Sequence, residues 1–281
     1  MKLAIITDSG ANLDATYVAK KPCLRVIPLM IVVGGKSYRD QIEITPAEVY
    51  AQIDHEKITT SLPELADVEQ LLDILKSEGY TDVLSISISS GLSGTYNALK
   101  LFFDQYQGLA ITAYDSRTLA GAQGQLVAKA VAFAEQGLAS SDIVPLLDKM
   151  RHQDSAAYYT INTLKYLKRG GRIGKVEGTI GDILHIKPVI TVNDSGVYMT
   201  ASKSFGFNRA LIFIRKELVA KFNDHLINVT IHYGEDKTGA EQLANKLKNE
   251  LNINELIINP LTPVLGIHTG PQMMAVIASL A

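Results

Sequence analysis

The sequence predicts an α/β protein of two domains, and three observations carry this prediction. Strand-like and helix-like segments alternate through the first half of the chain, which is typical of a mostly parallel, doubly wound sheet with helices on both faces. In the second half, strands flank a short hairpin turn, which indicates a mixed, largely antiparallel sheet. The chain has 281 residues, 47% of them hydrophobic, which is enough for two cores. We expect an N-terminal α/β domain over residues 1–155 and a C-terminal α/β domain over residues 156–281.

The elements of the first half follow from periodicity and from helix end signals. Thr45 and Glu48 can form a capping box around Pro46 at the first helical position, and Gly79 is a typical helix stop. Residues 82–89 (DVLSISIS) alternate apolar and polar side chains with the period of a strand. The predicted strands cover residues 2–7, 24–33, 82–89 and 109–115, and the predicted helices begin at residue 45 and cover 66–79, 95–106 and 118–137.

The second half opens on a strand at residues 155–161, followed by a basic, glycine-rich turn in LKYLKRGGRIG (164–174). The sequence NDSG at 193–196 is a turn whose geometry allows a hairpin between its flanking strands. The remaining predicted elements are strands at 187–192, 197–202, 227–233, 255–260 and 270–278 and amphipathic helices at 210–222 and 239–251.

Composition excludes several classes of protein. The formal net charge is −2 with acidic and basic residues interspersed, so nothing favours nucleic acid or a membrane surface. Cys23 is the only cysteine, and the six histidines lack ligand spacing, so we expect no disulfide and no metal. The apolar run before Asp8 is too short for a signal peptide, and residues 26–33 fall well short of the ~20 residues of a membrane helix. We expect a soluble, cytoplasmic protein.

Small polar side chains follow three of the predicted strands, and a fourth cluster of them lies between two predicted helices. In doubly wound sheets, ligands bind beyond the carboxyl ends of the strands. Any one such cluster can simply cap a helix, but four along one edge indicate a binding crevice. The four clusters are Thr7-Asp8-Ser9, Thr59-Thr60-Ser61, the segment Ser89–Thr95 and Asp115-Ser116.

The turn SSGLSGT (89–95) indicates what this crevice holds. Thr95 stands where the nucleophile motif G-x-S-x-G needs glycine, and a phosphate loop would need a lysine, which is absent here. The helix beginning near Gly94 directs free N–H groups towards the crevice. Hydroxyl and N–H donors suit a carboxylate, whereas a doubly charged phosphate usually calls for Arg or Lys as well. Ser93 and its neighbours therefore favour a carboxylate ligand.

Six motifs in order along the chain resemble one family. They are TDSGANL (7–13), TTSLP (59–63), SSGLSGTYNA (89–98), LKYLKRGGRIG (164–174), IKPVI (186–190) and GIHTGP (266–271). Together they resemble the bacterial DegV family, whose members include the fatty-acid-binding subunits of fatty acid kinase.

The resemblance implies an apolar tunnel between the two domains that takes one long-chain fatty acid, such as palmitate or oleate. By motif, the carboxylate would be held by Thr60 or Ser61, by Ser93 and Gly94, and by His268 acting as a hydrogen-bond donor. The implied protein is a lipid-binding protein without a cofactor, and not itself an enzyme.

The resemblance also implies a partner, a separate fatty acid kinase subunit that phosphorylates the bound fatty acid for phospholipid synthesis. Membrane contact would be transient at most. Arg172 matches one arginine that supports this partnership, and Lys203 lies in the second basic stretch. Phe205 stands where that stretch should have arginine, although Arg209 lies four residues on. Gln272 also replaces the glycine that commonly follows HTGP.

Two alternatives stay open at this point. Ser93 and His268 could serve a serine-dependent esterase or acyltransferase, although a third catalytic member cannot be assigned. The basic turn could instead be the docking surface of a regulatory interaction module, with the cations Lys165, Lys168, Arg169 and Arg172.

Overall fold

The computed structural model describes residues 2–176 and 186–281, and in these ranges the strands form three sheets. The first sheet is parallel, the second is a small antiparallel sheet, and the third is mixed. The strands are β1 (Leu3–Asp8), β2 (Leu24–Ile27), β3 (Met30–Val33), β4 (Lys36–Arg39), β5 (Ile58–Ser61), β6 (Asp82–Ser87), β7 (Ala110–Asp115), β8 (Ser155–Ile161), β9 (Ile186–Val192), β10 (Tyr198–Phe205), β11 (Ile227–Tyr233), β12 (Ile253–Pro260) and β13 (Met273–Leu280).

The helices, numbered within the same ranges, connect these strands. They are α1 (Ala15–Ala19), α2 (Pro46–Gln52), α3 (Leu65–Ser77), α4 (Thr95–Phe103), α5 (Ala120–Glu135), α6 (Ser140–Lys149), α7 (Lys165–Arg169), α8 (Phe207–Phe222), α9 (Lys237–Lys248) and α10 (Pro263–Thr269). The capping box predicted at the start of α2 is present, with Thr45 and Glu48 bonded to each other's backbone N–H groups. The sequence pattern did not indicate the helices α1, α6 and α10 or the strands β4 and β5, and the segment of α7 was predicted as a turn.

The parallel sheet has the strand order β2-β1-β6-β7 and is covered by helices on both faces. Ile5 of β1 packs with residues of α5 and α6, whereas its neighbours Ala4 and Ile6 pack with residues of α3 and α4. Burial of both faces explains the continuous apolar run of β1, whereas β6 alternates with Ser85 and Ser87, which are buried as well. The doubly wound arrangement predicted for the first half of the chain is therefore confirmed.

The strand predicted over residues 24–33 is wrong as a single element. The chain leaves the parallel sheet after Ile27 and enters the three-stranded sheet, of order β4-β3-β5, at Met30. Pro28 has no N–H to donate to a strand ladder, so a continuous strand is interrupted there. The two halves of this apolar run thus belong to different sheets.

The cluster Thr59-Thr60-Ser61 does not follow a parallel strand. It lies on β5, which pairs antiparallel with β3 and places Thr60 opposite Ile31. The expectation of four clusters along one sheet edge is therefore corrected. Three clusters follow β1, β6 and β7 of the parallel sheet, and the fourth is supplied by a separate sheet.

The six-stranded sheet has the order β10-β9-β8-β13-β11-β12. Its β11 and β12 are parallel neighbours, and the predicted hairpin joins the antiparallel β9 and β10. Helices α8 and α9 pack on one face. On the other face α5 approaches so closely that a Cβ on Gly121 would lie 2.7 Å from Nε2 of His232. Helix α5 therefore lies between the parallel and the six-stranded sheets.

The strands of the six-stranded sheet all follow Asp154, and the strands of the other two sheets all precede Ser116. The division into domains at residue 155 stays a prediction. Within the described residues, no helix combines the length and hydropathy that crossing a membrane requires.

Candidate functional site

Two aspartates at the carboxyl edge of the parallel sheet hold loops in place. Asp8 accepts hydrogen bonds from the backbone N–H groups of Gly10 at 2.9 Å and Ile88 at 2.7 Å. Burial raises the pKa of Asp8 to about 6. Asp115 accepts from both the backbone N–H and the hydroxyl of Ser90, at 3.1 and 2.6 Å. These carboxylates therefore support the turn between β6 and α4 and do not point to a ligand.

Ser89 fixes the same turn from inside. Its buried hydroxyl donates to the carbonyl of Gly196 at 2.7 Å, in the turn between β9 and β10. Its own carbonyl accepts from the N–H groups of Leu92 and Ser93, both at 3.0 Å. The turn that carries Ser93 is thus anchored to the six-stranded sheet.

Ser93 and Gly94 lie where α4 begins. The hydroxyl of Ser93 is 2.8 Å from that of Thr95 and accepts from the Thr95 N–H at 3.3 Å. Gly94 directly precedes the first turn of α4 and is exposed. If residue 94 had a Cβ, this atom would lie 3.6 Å from the Cδ2 of Leu62. Ser93 therefore lies just before the N-cap residue Gly94 and presents a hydroxyl beside the N-terminal N–H groups of α4.

His268 is brought to this turn by α10, which packs against α2, α7 and β5. Its Nε2 lies 3.1 Å from the hydroxyl oxygen of Thr60. Its Nδ1 is enclosed and has no hydrogen-bond partner among the described residues. A proton on Nε2 leaves only an acceptor without a partner, so we assign the tautomer that donates to Thr60. The Thr60 hydroxyl then remains available to donate to a ligand.

His268 stays neutral near pH 7. Burial, together with the positive charges of Arg172 and Arg169, lowers its pKa to about 4. Its one N–H donates to Thr60, so the neutral imidazole acts on an anion through that hydroxyl and contributes no full charge.

These side chains line one cavity of about 40 Å³. Thr60, Ser61, Ser93 and His268 are brought together there, whereas Gly94 lies beside it. The rest of its wall is mainly apolar, formed by Leu29, Ile88, Leu92, Leu119, Tyr198, Val264 and Leu265. A water molecule takes ~30 Å³ in the liquid, so a cavity of about 40 Å³ has space for about one water. An acyl chain needs far more space than this. An open tunnel of that length stays a prediction.

Arg172 is a cavity residue that reasoning from donor chemistry missed. Its Nε donates to the carbonyl of Leu92 at 3.2 Å and its Nη1 to that of Gly170 at 2.5 Å, and it lines the cavity with His268. The expectation of a cradle made only of neutral donors is therefore corrected. The family motif indicates Arg172 as a functional residue, but as a contact to a partner protein and not as part of the cavity.

The other residues predicted for partner docking lie outside the cavity. Lys203 is exposed on β10, at the edge of the six-stranded sheet, and Arg209 is exposed in the first turn of α8. Phe205, between them, is 61% exposed. Their role in docking stays a prediction.

The basic turn is tied to the body of the protein. Lys165 contacts Asp54 at 2.6 Å, and the hydroxyl of Tyr166 donates to the same carboxylate. Arg169 donates to the carbonyl of Ile53 at 2.6 Å. These contacts hold α7 against the end of α2 and position Gly170 beside His268.

Fold and site together define the class: an α/β protein with a small cavity whose wall is partly polar, with hydroxyls, a histidine and an arginine, and otherwise apolar. The DegV family model, described as "Uncharacterised protein, DegV family", matches residues 2–280. A DegV domain-containing protein of Clostridium acetobutylicum is 37% identical over 276 residues, which are 98% of this chain and 98% of that protein.

Solved structures agree with this match. A DegV family protein from Thermus thermophilus, described as fatty acid binding, has a TM-score of 0.91 and 29% identity, with 100% of both chains covered. A stearic-acid-binding protein from Eubacterium ventriosum has a TM-score of 0.86 and 27% identity, covering 99% of this chain and 98% of that one. The chain belongs to the DegV family, and the predicted fold class is confirmed.

Proposed function

We propose that this protein binds one long-chain fatty acid, such as palmitate or oleate, with its carboxylate at the cluster of Thr60, Ser61, Ser93, Gly94 and His268. The observation that carries the proposal is the 3.1 Å contact between Thr60 and His268 in a cavity that also contains Ser93 and an otherwise mainly apolar wall. The fatty-acid-binding relatives from Thermus thermophilus and Eubacterium ventriosum support it.

Each member of the cluster has a distinct part in this proposal. The hydroxyls of Ser93 and Thr60 donate to the carboxylate oxygens, and the start of α4 adds the N–H of Gly94. His268 orients Thr60 through its Nε2. Arg172, which lines the same cavity, offsets the negative charge without a direct contact being required. A carboxylate satisfied in this way can sit at the edge of an apolar core.

The acyl chain would enter the apolar side of the cavity, between Leu29, Leu119 and Leu265. Burial of ~14 methylenes at ~0.8 kcal/mol each gives roughly 11 kcal/mol before the costs of immobilisation. Because the cavity measures about 40 Å³, these side chains must shift to admit the chain. Binding is therefore expected to couple to repacking of the core around them.

Binding and presentation, not catalysis, fit the arrangement best. A serine esterase needs its serine hydroxyl bonded to a histidine that a third group orients. Here Ser93 contacts Thr95, His268 contacts Thr60, and His268 Nδ1 has no partner in residues 2–176 and 186–281. We infer a cytoplasmic lipid-binding protein that meets membranes only transiently.

Native mass spectrometry of the purified protein, followed by extraction and identification of the released molecule, tests the binding. The expected result is an added mass matching a fatty acid of ~16 or 18 carbons, because a longer acyl chain removes more methylene groups from water and so binds more tightly. The mass should be lost in the double variant Ser93→Ala, His268→Ala. The matched control is Thr59→Ala, His55→Ala, which removes an exposed hydroxyl and imidazole nearby. A protein that stays ligand-free with added oleate and palmitate would contradict the proposal.

We further infer presentation of the fatty acid to a fatty acid kinase subunit that forms the acyl phosphate, an early step towards phospholipid synthesis. Arg172, Lys203 and Arg209 are the cations proposed to meet that partner. Acyl phosphate formation with a purified bacterial kinase subunit tests this, with Arg172→Ala expected to abolish it and Phe205→Arg to raise it. If all variants bind oleate but neither wild type nor Phe205→Arg yields product, the kinase role is wrong and fatty acid binding stands.

A further inference from the structure

A second cavity, of about 230 Å³, lies away from the first and shares no lining residue with it. It is bounded by the loop before α5, by the π-helical turn Met150–Asp154 that follows α6, and by strands β8 and β9. Three cationic side chains from three separate elements line it, namely Arg117, Arg151 and Lys221.

The three cations are held by neutral groups more than by carboxylates. Lys221 donates to the carbonyl of Ser155 at 2.6 Å, and Arg117 donates to the carbonyl of Asp194 at 3.1 Å. Within residues 2–176 and 186–281, neither of these two cations forms an ion pair. Asp154 acts on Lys221 only at longer range, where its charge offsets part of the burial that lowers the Lys221 pKa, so Arg117 and Lys221 line the cavity without a carboxylate in direct contact.

Arg151 is the most enclosed of the three, with a side chain 12% exposed. It contacts His152 at 2.6 Å and lies 3.7 Å from Asp148, and its Nε has no hydrogen-bond partner among the described residues. A π-helical turn places it there, and such turns are frequent at functional sites. Holding a guanidinium in an enclosed position with one distant carboxylate is costly unless an anion completes its shell.

The acidic groups near the cavity leave its interior positive. Asp194 lines the rim, but its side chain is 89% exposed and faces His152 at 3.3 Å. Asp154 lies 3.9 Å from Lys149, outside the lining. Water screens an exposed carboxylate more strongly than it screens an enclosed guanidinium, so Asp194 offsets Arg151 only in part.

The backbone of Arg117, which lines the cavity, has an unfavourable conformation. Its φ is 48°, a left-handed conformation that costs a residue with a side chain roughly 1–2 kcal/mol. The position of a Cβ on Gly196 would lie 3.3 Å from the Arg117 Cα, so the loop packs closely on the turn between β9 and β10. Asn193 in that turn accepts the N–H groups of Ser195 and Val197 through Oδ1, which leaves its Nδ2 to donate.

We propose that this cavity binds a small phosphate-bearing anion. Three cations and an amide donor match the charge and the three terminal oxygens of a phosphomonoester better than a singly charged carboxylate. At ~30 Å³ per water, 230 Å³ corresponds to about eight waters, which leaves space for a phosphate and a few further atoms. The site is separate from the proposed fatty acid cavity and does not depend on it.

Isothermal titration calorimetry with inorganic phosphate and with methyl phosphate, at constant ionic strength, tests the proposal. Wild type should bind one equivalent. Arg151→Gln should weaken binding at least about tenfold and Lys221→Gln about fivefold. Lys149→Gln is the matched control, because it removes a neighbouring exposed charge that does not line the cavity, and it should change affinity less than twofold.

Three results would overturn the proposal. The first is the absence of saturable heat with wild type. The second is equal weakening by Lys149→Gln and Lys221→Gln, which would indicate general charge attraction. The third is loss of binding in Arg172→Gln with retention in Lys221→Gln, which would assign the phosphate to the first cavity. Lys221 is exposed, so its variant is expected to fold even if Arg151→Gln does not.

Discussion

Gly170→Ala should impair fatty acid binding although residue 170 is not expected to touch the ligand. A Cβ at Gly170 would lie 2.2 Å from Nδ1 and 2.8 Å from Cε1 of His268, and 3.3 Å from the carbonyl oxygen of Tyr166. Ordinary contacts begin at 3.4 Å, so the imidazole ring would have to move by about 1.2 Å (3.4 − 2.2) along that direction. The 3.1 Å contact between His268 and Thr60 cannot persist unchanged through such a shift.

The size of the effect follows from the bond that is disturbed. A hydrogen bond to a charged group contributes ~1.5–3 kcal/mol, so misplacing Thr60 and His268 should weaken carboxylate binding by about 10- to 100-fold. Overpacking should also lower the free energy of unfolding by ~1–3 kcal/mol.

The assay is equilibrium binding of oleate to delipidated protein, with unfolding in urea measured in parallel. Gly171→Ala is the matched control. Its φ of 69° makes alanine costly by ~1–2 kcal/mol, but no atom lies within 4 Å of the new Cβ among the described residues. Gly171→Ala should lose stability and keep its affinity. Wild-type affinity in Gly170→Ala, or an equal loss in both variants, would refute the proposed role of His268.

Three further outcomes are expected from the same geometry. Burial lowers the pKa of His268 from 6.5 to about 4, so between these two pH values the unfolded chain binds a proton that the folded protein does not. Between pH 7 and pH 5, wild type should therefore lose about 2 kcal/mol more free energy of unfolding than His268→Asn, as measured by urea unfolding. An equal pH dependence would contradict the buried neutral imidazole. Asn12→Ala should cost ~2–4 kcal/mol, because the buried amide accepts from the Thr262 N–H at 2.7 Å and donates to the Pro260 carbonyl at 3.1 Å. Thermal unfolding within 1 °C of wild type would disprove that this amide joins the segment after β1 to the loop before α10. In Gly196→Ala the new Cβ would lie 2.0 Å from Ser89 Oγ, and the φ of 74° is unfavourable for alanine. The free energy of unfolding should fall by ~2–3 kcal/mol. Calorimetry showing no change would argue against the anchoring of the Ser93 turn.

Local chemistry made much of the fold predictable. The capping box at Thr45 and the alternation in DVLSISIS depend on neighbours within one turn or one pleat, so the sequence displays them directly. The hairpin at NDSG was predicted for the same reason and is observed between β9 and β10. The short helix α10 was missed because its seven residues, PVLGIHT, contain both proline and glycine and are nearly all buried.

The candidate site was predictable in part. The turn around Ser93 was found from its hydroxyls and from the helix that follows, which are local features. His268 came from a motif resemblance, because a single histidine has no local signal for what it will face. Its environment, with Nδ1 enclosed beside Gly170 and a pKa lowered to about 4, is a property of packing and had no counterpart in the sequence.

The sequence by itself determined the alternation of strands and helices, the turn that presents Ser93 and the absence of strong net charge, since each depends on composition or on residues close in the chain. Only the tertiary structure decided that Thr60 and His268, 208 residues apart, share a hydrogen bond, and that Arg172 joins them at the cavity. It also divided residues 24–33 between two sheets and assembled three cations into a second cavity. Such contacts follow from how buried apolar faces pack, and packing is a property of the whole chain.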